Sequence, residues 1–201
     1  MLDTARPALS ADLIAEKALE IVDHDGYDAL SFRVLGRAVG CEAMSLYHYF
    51  GSKAELRDAL IARVMAEAAF EADEDTAWTN QIVAAADRLR AAFLAHRSLV
   101  PVIACEQGSS EAVARWRARF DEIAEGEIPD PAKRAERLGM VWNFLIGSTL
   151  GEACGAAGDD GAGYRSGLTV LMSWIAAEAS RERIQSIREA RRARRRGQSL
   201  Q

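Results

Sequence analysis

The chain has 201 residues, 49% of them hydrophobic, with a net charge of −5, enough apolar material for one compact body or a domain with a small appendage. No apolar run approaches the roughly 20 residues of a membrane span, so no membrane partner is expected, and residues 1–10 lack the basic start and apolar stretch of a secretory signal. Cys41, Cys105 and Cys154 are odd in number and widely spaced without a CxxC, which argues against a disulfide framework or a zinc site and for a reducing cytoplasm.

Charge is unevenly placed. Residues 181–196 hold eight arginines against Glu182 and Glu189, a local excess of +6 that leaves −11 for the remainder. Residues 1–60 carry six Lys/Arg against ten Asp/Glu. Any attraction to phosphate must therefore come from a few placed cations and helix N-termini rather than from a broad basic field.

Along the chain, Ser10 is an N-cap for a first helix whose apolar positions Ile14, Ala18, Ile21 and Val22 share one face, and Asp25-Gly26 ends it. Ser31 caps a second helix with Arg33 in its first turn. Gly40 supplies permissive backbone for a sharp turn between helical stretches 35–39 and 43–49. That is the layout of a helix-turn-helix, whose second helix enters the DNA major groove. Gly51 breaks the chain, and Ser52-Lys53-Ala54-Glu55 is a capping box starting a fourth helix through about Ala72, with Leu56, Leu60, Val64 and Ala68 buried.

Residues 73–79 are acidic and unpatterned, as in a linker or helix break. Ile82, Ala86, Leu89 and Phe93 then mark a fifth helix, and Pro101 falls in or near a shorter segment. Gly108-Ser109-Ser110 precedes a helix over 111–125 that buries Val113, Trp116, Phe120 and Ile123. Pro129-Asp130-Pro131 turns the chain into a long helix over 132–155. The glycine-rich stretch 155–163 is a flexible connection to a final helix from about Tyr164 to Ala179 or beyond, with Leu168, Leu171, Met172 and Ile175 inward. No segment alternates with period 2. The expected fold is all-α with about nine helices: a three-helix helix-turn-helix head over 1–52, a helical body over 53–180 and a basic tail over 181–201.

Residues 31–56, SFRVLGRAVGCEAMSLYHYFGSKAEL, resemble the DNA-binding module of the TetR family of one-component repressors. Arg33, Gly40, Leu46-Tyr47, Phe50, Lys53 and Leu56 fall at the family's spacing. Met44-Ser45-Leu46-Tyr47 and residues 94–103 are similar to the branch containing the tetracycline repressors. The resemblance implies double-stranded DNA contacts residue by residue. Arg33 would reach a guanine edge or a phosphate, and Ser31 a phosphate. Ala43 and Met44 would read thymine methyls, and Ser45 a base edge. Tyr47 would bond a phosphate, His48 and Tyr49 would line the groove or backbone, and Lys53 would pair with a phosphate. Beside these stand plainer readings: Tyr49 packed inward, His48 solvated, Arg33 and Lys53 ordinary surface charges. Two residues depart from the family pattern. Gly36 stands where alanine is frequent, costing roughly 1 kcal/mol of helix propensity, and Glu42 stands where a small hydroxyl residue commonly caps the recognition helix.

For the body, the resemblance implies a homodimer whose last two long helices pair with their copies. Gly147, Gly151 and Gly155 recur every four residues, with Asn143 and Gly139 upstream, and such a row lets another helix approach closely. Close packing within one subunit is the competing reading. The family also keeps a small-molecule pocket, for which Phe93, Val102, Ile103, Trp116, Phe120, Trp142 and Phe144 are candidates, each equally readable as core. His96 shares their stripe and would either bond the ligand or serve structure. Residues 66–71 and 98–106, where tetracycline repressors carry metal-chelating histidines, contain none, so a metal–tetracycline effector is not expected, nor any cofactor. The implied mechanism is two-state: ligand shifts the fourth helix, and the two recognition helices lose the spacing of about 34–36 Å between successive major grooves. With only His24, His48 and His96, and no cluster at ligand spacing, an enzyme is not expected. A helix-turn-helix that binds protein is the alternative. The basic tail reads as a solvated extension of the final helix or as a disordered arm.

Overall fold

Five helices begin on a side chain that accepts an otherwise orphaned backbone N–H. Ser10 accepts from Leu13 at 3.2 Å, Ser31 from Val34 at 3.3 Å, Ser52 from Glu55 at 3.1 Å, Ser110 from Val113 at 3.4 Å, and Asp130 from Ala132 at 2.9 Å. Each satisfies one of the four donors that a helix start leaves open. At Ser52 the box closes reciprocally, Glu55 accepting from the Gly51 N–H at 2.8 Å. A computed structural model describes residues 9–69, 75–106, 108–155 and 161–198, with side chains as far as 193.

Among the described residues there are nine α-helices and no strand. The head comprises α1 (Ala11–Asp25), α2 (Phe32–Val39) and α3 (Ala43–Leu46). Next come α4 (Lys53–Glu67), α5 (Trp78–Ala95), the short α6 (Val100–Cys105) and α7 (Glu111–Ala124). Two long helices follow, α8 (Pro131–Ala153) and α9 (Ala162–Gln198), and 3-10 turns at Tyr27–Ala29 and Arg97–Leu99 bridge elements. None of these helices is long and apolar enough to cross a membrane.

Helix α4 joins the two halves. It buries Leu56, Leu60, Val64 and Met65 and packs against α1 in the head and against α5 and α7 in the body. The head core holds Ile14, Leu35 and Leu46. It continues without a break into a body core of Leu89, Phe93, Ile103, Phe120 and Trp142. Trp116, Phe120 and Trp142 form an edge-to-face ladder from α7 to α8, with centroids 6.5 and 6.1 Å apart, a preferred aromatic geometry.

Several boundaries differ from expectation. Helix α4 ends at Glu67, where the Ala68 N–H reaches back three residues to Met65, although its alanine- and glutamate-rich sequence carries no stop signal. Regular α3 ends at Leu46. The chain then tightens through bonds from Tyr47 to Met44, His48 to Ser45 and Tyr49 to Leu46, which bring Phe50 back into the core. In α1, Leu19 joins the buried face while Ile21 is half-buried.

The last helix runs far past Ala179 because its next turn is fastened to α8. Glu182 accepts from Arg137 at 2.8 Å and from Lys133 at 2.9 Å, and Arg183 pairs with Glu127. The extension of the final helix is thus the arrangement found, with residues 183–193 exposed. Residues 1–8 and 199–201, part of the expected linker (70–74) and part of the glycine-rich connection (156–160) lie outside the described residues.

Candidate nucleic-acid interface

The turn between α2 and α3 depends on two glycines for different reasons. Gly40 closes α2 in the left-handed region, at φ 74°, which a Cβ disfavours. Gly36 is buried, and a Cβ there would meet the Cys41 carbonyl oxygen at 2.8 Å and the Ala43 nitrogen at 3.3 Å. The residue that costs helix propensity thus lets the chain fold back tightly over α2. Glu42 begins α3 without a side-chain cap bond, so the first N–H groups of α3 have no acceptor from its side chain, and its carbonyl accepts from Ser45 at 2.9 Å.

This geometry presents one end of the head. Met44 is 74% exposed at the tip, while Ala43 and Ser45 are half-buried beside it. Tyr47 and His48 are exposed, Tyr47 holding its ring 4.5 Å from Phe32 in an edge contact. Tyr49 does not pack inward: it is exposed, and its hydroxyl donates to the Leu9 carbonyl at 3.0 Å. Arg33 is exposed on the first turn of α2. Ser31 accepts its capping bond while its own O–H proton stays available as a donor. Lys53 stands at the start of α4, its ammonium 4.9 Å from the Tyr27 ring centroid, a cation–π contact that holds the stem and leaves the charge exposed. Such a set offers a guanidinium, an ammonium, hydroxyls and an apolar tip to one surface. Those are the donors and apolar contacts a duplex accepts at its phosphates and major-groove edges.

Of the eight pocket candidates, Trp116, Phe120 and Trp142 are brought together in one aromatic ladder, and Phe120 and Trp142 also edge a groove between α7 and α8. Phe93, Ile103, Phe120 and Trp142 are fully enclosed in the core, and Val102 is half-buried. Phe144 stacks on Tyr164 at 5.9 Å, in space that a Cβ on Gly167 would occupy. His96 is a structural bridge: one ring nitrogen lies 2.8 Å from Asp23 of α1 and the other 3.1 Å from Glu67 of α4. Trp116 lines an open groove on the α4 side of α7, together with Met65, Arg115 and Arg119. Sequence reading missed those three because two arginines one turn apart look like any solvated helix face.

On α8, Gly147 is exposed and Gly151 half-buried, while Gly155 lies beyond the helix end with φ 79°. A Cβ on Gly139, Gly147 or Gly155 would meet no atom within 4 Å. Met140, Val170 and Trp174 are exposed large apolar side chains on α8 and α9.

Residues 14–60 match the family described as bacterial regulatory proteins, tetR family. An HTH-type transcriptional regulator of Saccharopolyspora erythraea is 28% identical over 167 residues, 81% of this chain and 69% of that protein. The tetracycline repressor protein class A from transposon 1721 of Escherichia coli is 27% identical over 79% of this chain and 73% of its own length. Two solved structures share the fold. BioQ with its double-stranded DNA operator gives a TM-score of 0.72 at 24% identity, covering 84% of this chain and 99% of that one. Streptomyces coelicolor ActR in complex with actinorhodin gives 0.75 at 22%, covering 85% and 98%. With a capped helix-turn-helix at its head, a family model that matches residues 14–60 and a helical body that shares the fold of solved regulators, the head of this chain belongs to the family of bacterial regulatory proteins, tetR family.

Proposed function

We propose that the chain is a cytoplasmic repressor that binds a near-palindromic DNA operator as a homodimer and leaves it when a small apolar or aromatic molecule occupies the body. The observation that carries this reading is the exposed Met44 tip of α3, with Ser31, Arg33, Ala43, Ser45, Tyr47, His48, Tyr49 and Lys53 around it. The division into a head over 1–52, a body over 53–180 and a tail over 181–201 belongs to the same proposal, and the role is regulatory rather than catalytic.

The homodimer is supported by the glycine row. Gly139 and Gly147 have open space where a Cβ would stand, so packing within the chain gives no reason for their smallness. A helix from a second copy does. Ligand response is supported by α4, which contacts α1 in the head and α5 and α7 in the body. A displacement of α4 by ligand therefore moves the head. BioQ with its operator and ActR with actinorhodin are relatives in fold that carry each half of this behaviour.

Footprinting on the DNA flanking the chain's own gene, at two salt concentrations, tests it. A protected near-palindrome that fades as salt rises is expected. A head that captures protein and protects no DNA, there or in a genome-wide pull-down, would replace this reading with the interaction-module alternative.

A further inference from the structure

We propose that the groove between α4 and α7 is a binding site for a small amphipathic anion, of the class of aromatic carboxylates. The proposal rests on the ligand-responsive reading and deepens it by giving the effector a place and a charge. The groove encloses about 280 Å³, near the roughly 300 Å³ lower end of small-molecule pockets, a size for one or two fused rings.

Its floor is apolar for a stated reason. The Trp116 indole N–H is spent on the Met65 carbonyl at 3.2 Å, so the ring offers only carbon surface. Trp116 is further fixed edge-on by Phe120 at 87°. Ala62, Ala66 and Ala112 keep the walls low enough for a flat ring to enter. Above this floor stand the guanidiniums of Arg115 and Arg119, one helical turn apart on α7.

Each guanidinium has a carboxylate on its own helix, Glu111 at 3.1 Å and Glu122 at 3.0 Å. These are exposed surface pairs of the kind that contributes little. A carboxylate anchored by its ring on Trp116 displaces them and gains charge-assisted, bidentate geometry. The groove on the other side of α7, between α7 and α8, offers a single guanidinium, Arg117, and places it beside Asp121, which pairs with Arg134 at 2.7 Å. An occupant of the α4–α7 groove sits between the helix that carries the head and the rest of the body.

Isothermal titration with 2-naphthoate and its neutral counterpart 2-naphthylmethanol tests the proposal on the full chain. The acid is expected to bind once per chain and at least about tenfold more tightly than the alcohol. In R115Q/R119Q that preference should fall to within about twofold, at an unchanged melting temperature. Filling the groove with A66F should abolish binding of both. Equal binding of acid and alcohol, no binding of either, or a preference that survives R115Q/R119Q would overturn the site. Operator footprints on the same preparations separate the two readings. Footprints without naphthoate binding remove the groove and leave the regulator, whereas naphthoate binding that leaves the footprint intact sustains the groove and removes the effector role.

Discussion

Gly36 lies so close beneath Cys41 that a Cβ on it would stand 2.8 Å from the Cys41 carbonyl oxygen, backbone that has no side-chain freedom to retreat. Two effects then compete in Gly36→Ala. Helix propensity favours alanine by roughly 1 kcal/mol, while overpacking against fixed backbone costs typically about 1–3 kcal/mol. The clash wins, because relieving it requires α3 to move off α2. The variant should melt earlier, with amide exchange in α2 and α3 accelerating first. A melting temperature equal to or above wild type would show that the turn has slack.

Lys53 and Met44 should fail differently. Lys53→Ala removes one cation facing a phosphate, so affinity should drop about equally for all sequences and the salt slope should shrink by about 0.9. Met44→Ala removes an apolar contact and no charge. The salt slope should stay, and discrimination at one base pair should weaken by about 1–3 kcal/mol. Gel shifts across a salt series on the operator and on single-base variants distinguish the two.

His96 ties α5 to both α1 and α4 through Asp23 and Glu67. His96→Ala should destabilise the chain by about 1–2 kcal/mol, the scale of losing a partly buried hydrogen-bonded side chain. Naphthoate binding in the α4–α7 groove should be unaffected. A loss of binding with stability intact would return His96 to the role of ligand contact.

Glu182 gives a pH dependence with a definite sign. Arg137 first, and Lys133 second, hold its carboxyl below the usual carboxylate range. A depressed folded value means that the pair stabilises above the unfolded pKa and is lost as pH falls through the folded one. Glu182→Gln should therefore lower the melting temperature at pH 7, and the gap from wild type should close on acidification below about pH 4. A gap that persists at pH 3 would assign the effect to packing.

Deleting residues 184–201 spares Glu182 and Arg183 and removes the exposed turns of α9 over 184–193 together with the residues that follow them. Operator affinity at physiological salt should stay within about twofold. A larger loss in the footprinting titration would place the arginines on the DNA.

The helix starts were legible because a cap is a local event: Ser10, Ser31, Ser52, Ser110 and Asp130 each act within three residues. Ends were less so. Helix α4 stops at Glu67 inside a run of good helix formers, and α9 continues because Arg137, 45 residues away, receives Glu182. The head could be read almost whole, since its turn demands particular residues at Gly40 and Ser31. The pocket could not. Aromatic residues such as Phe93 and Trp142 mark a core as readily as a cavity, and His96 finds its carboxylates 73 and 29 residues away. Distances of that kind leave no periodic trace.

The exposed arginine-bearing end of α9 gives the chain a cationic end that a protease can remove. Arg188, Arg191 and Arg192 stand in solvent on a helix that the body holds only at its base, where brief local unwinding suffices for a trypsin-like protease. Cleavage after Arg188 removes five arginines and one glutamate, taking the net charge from −5 to −9. Intact and clipped protein would then elute separately from an anion exchanger while keeping the same head, and a preparation with two peaks need not contain two folds.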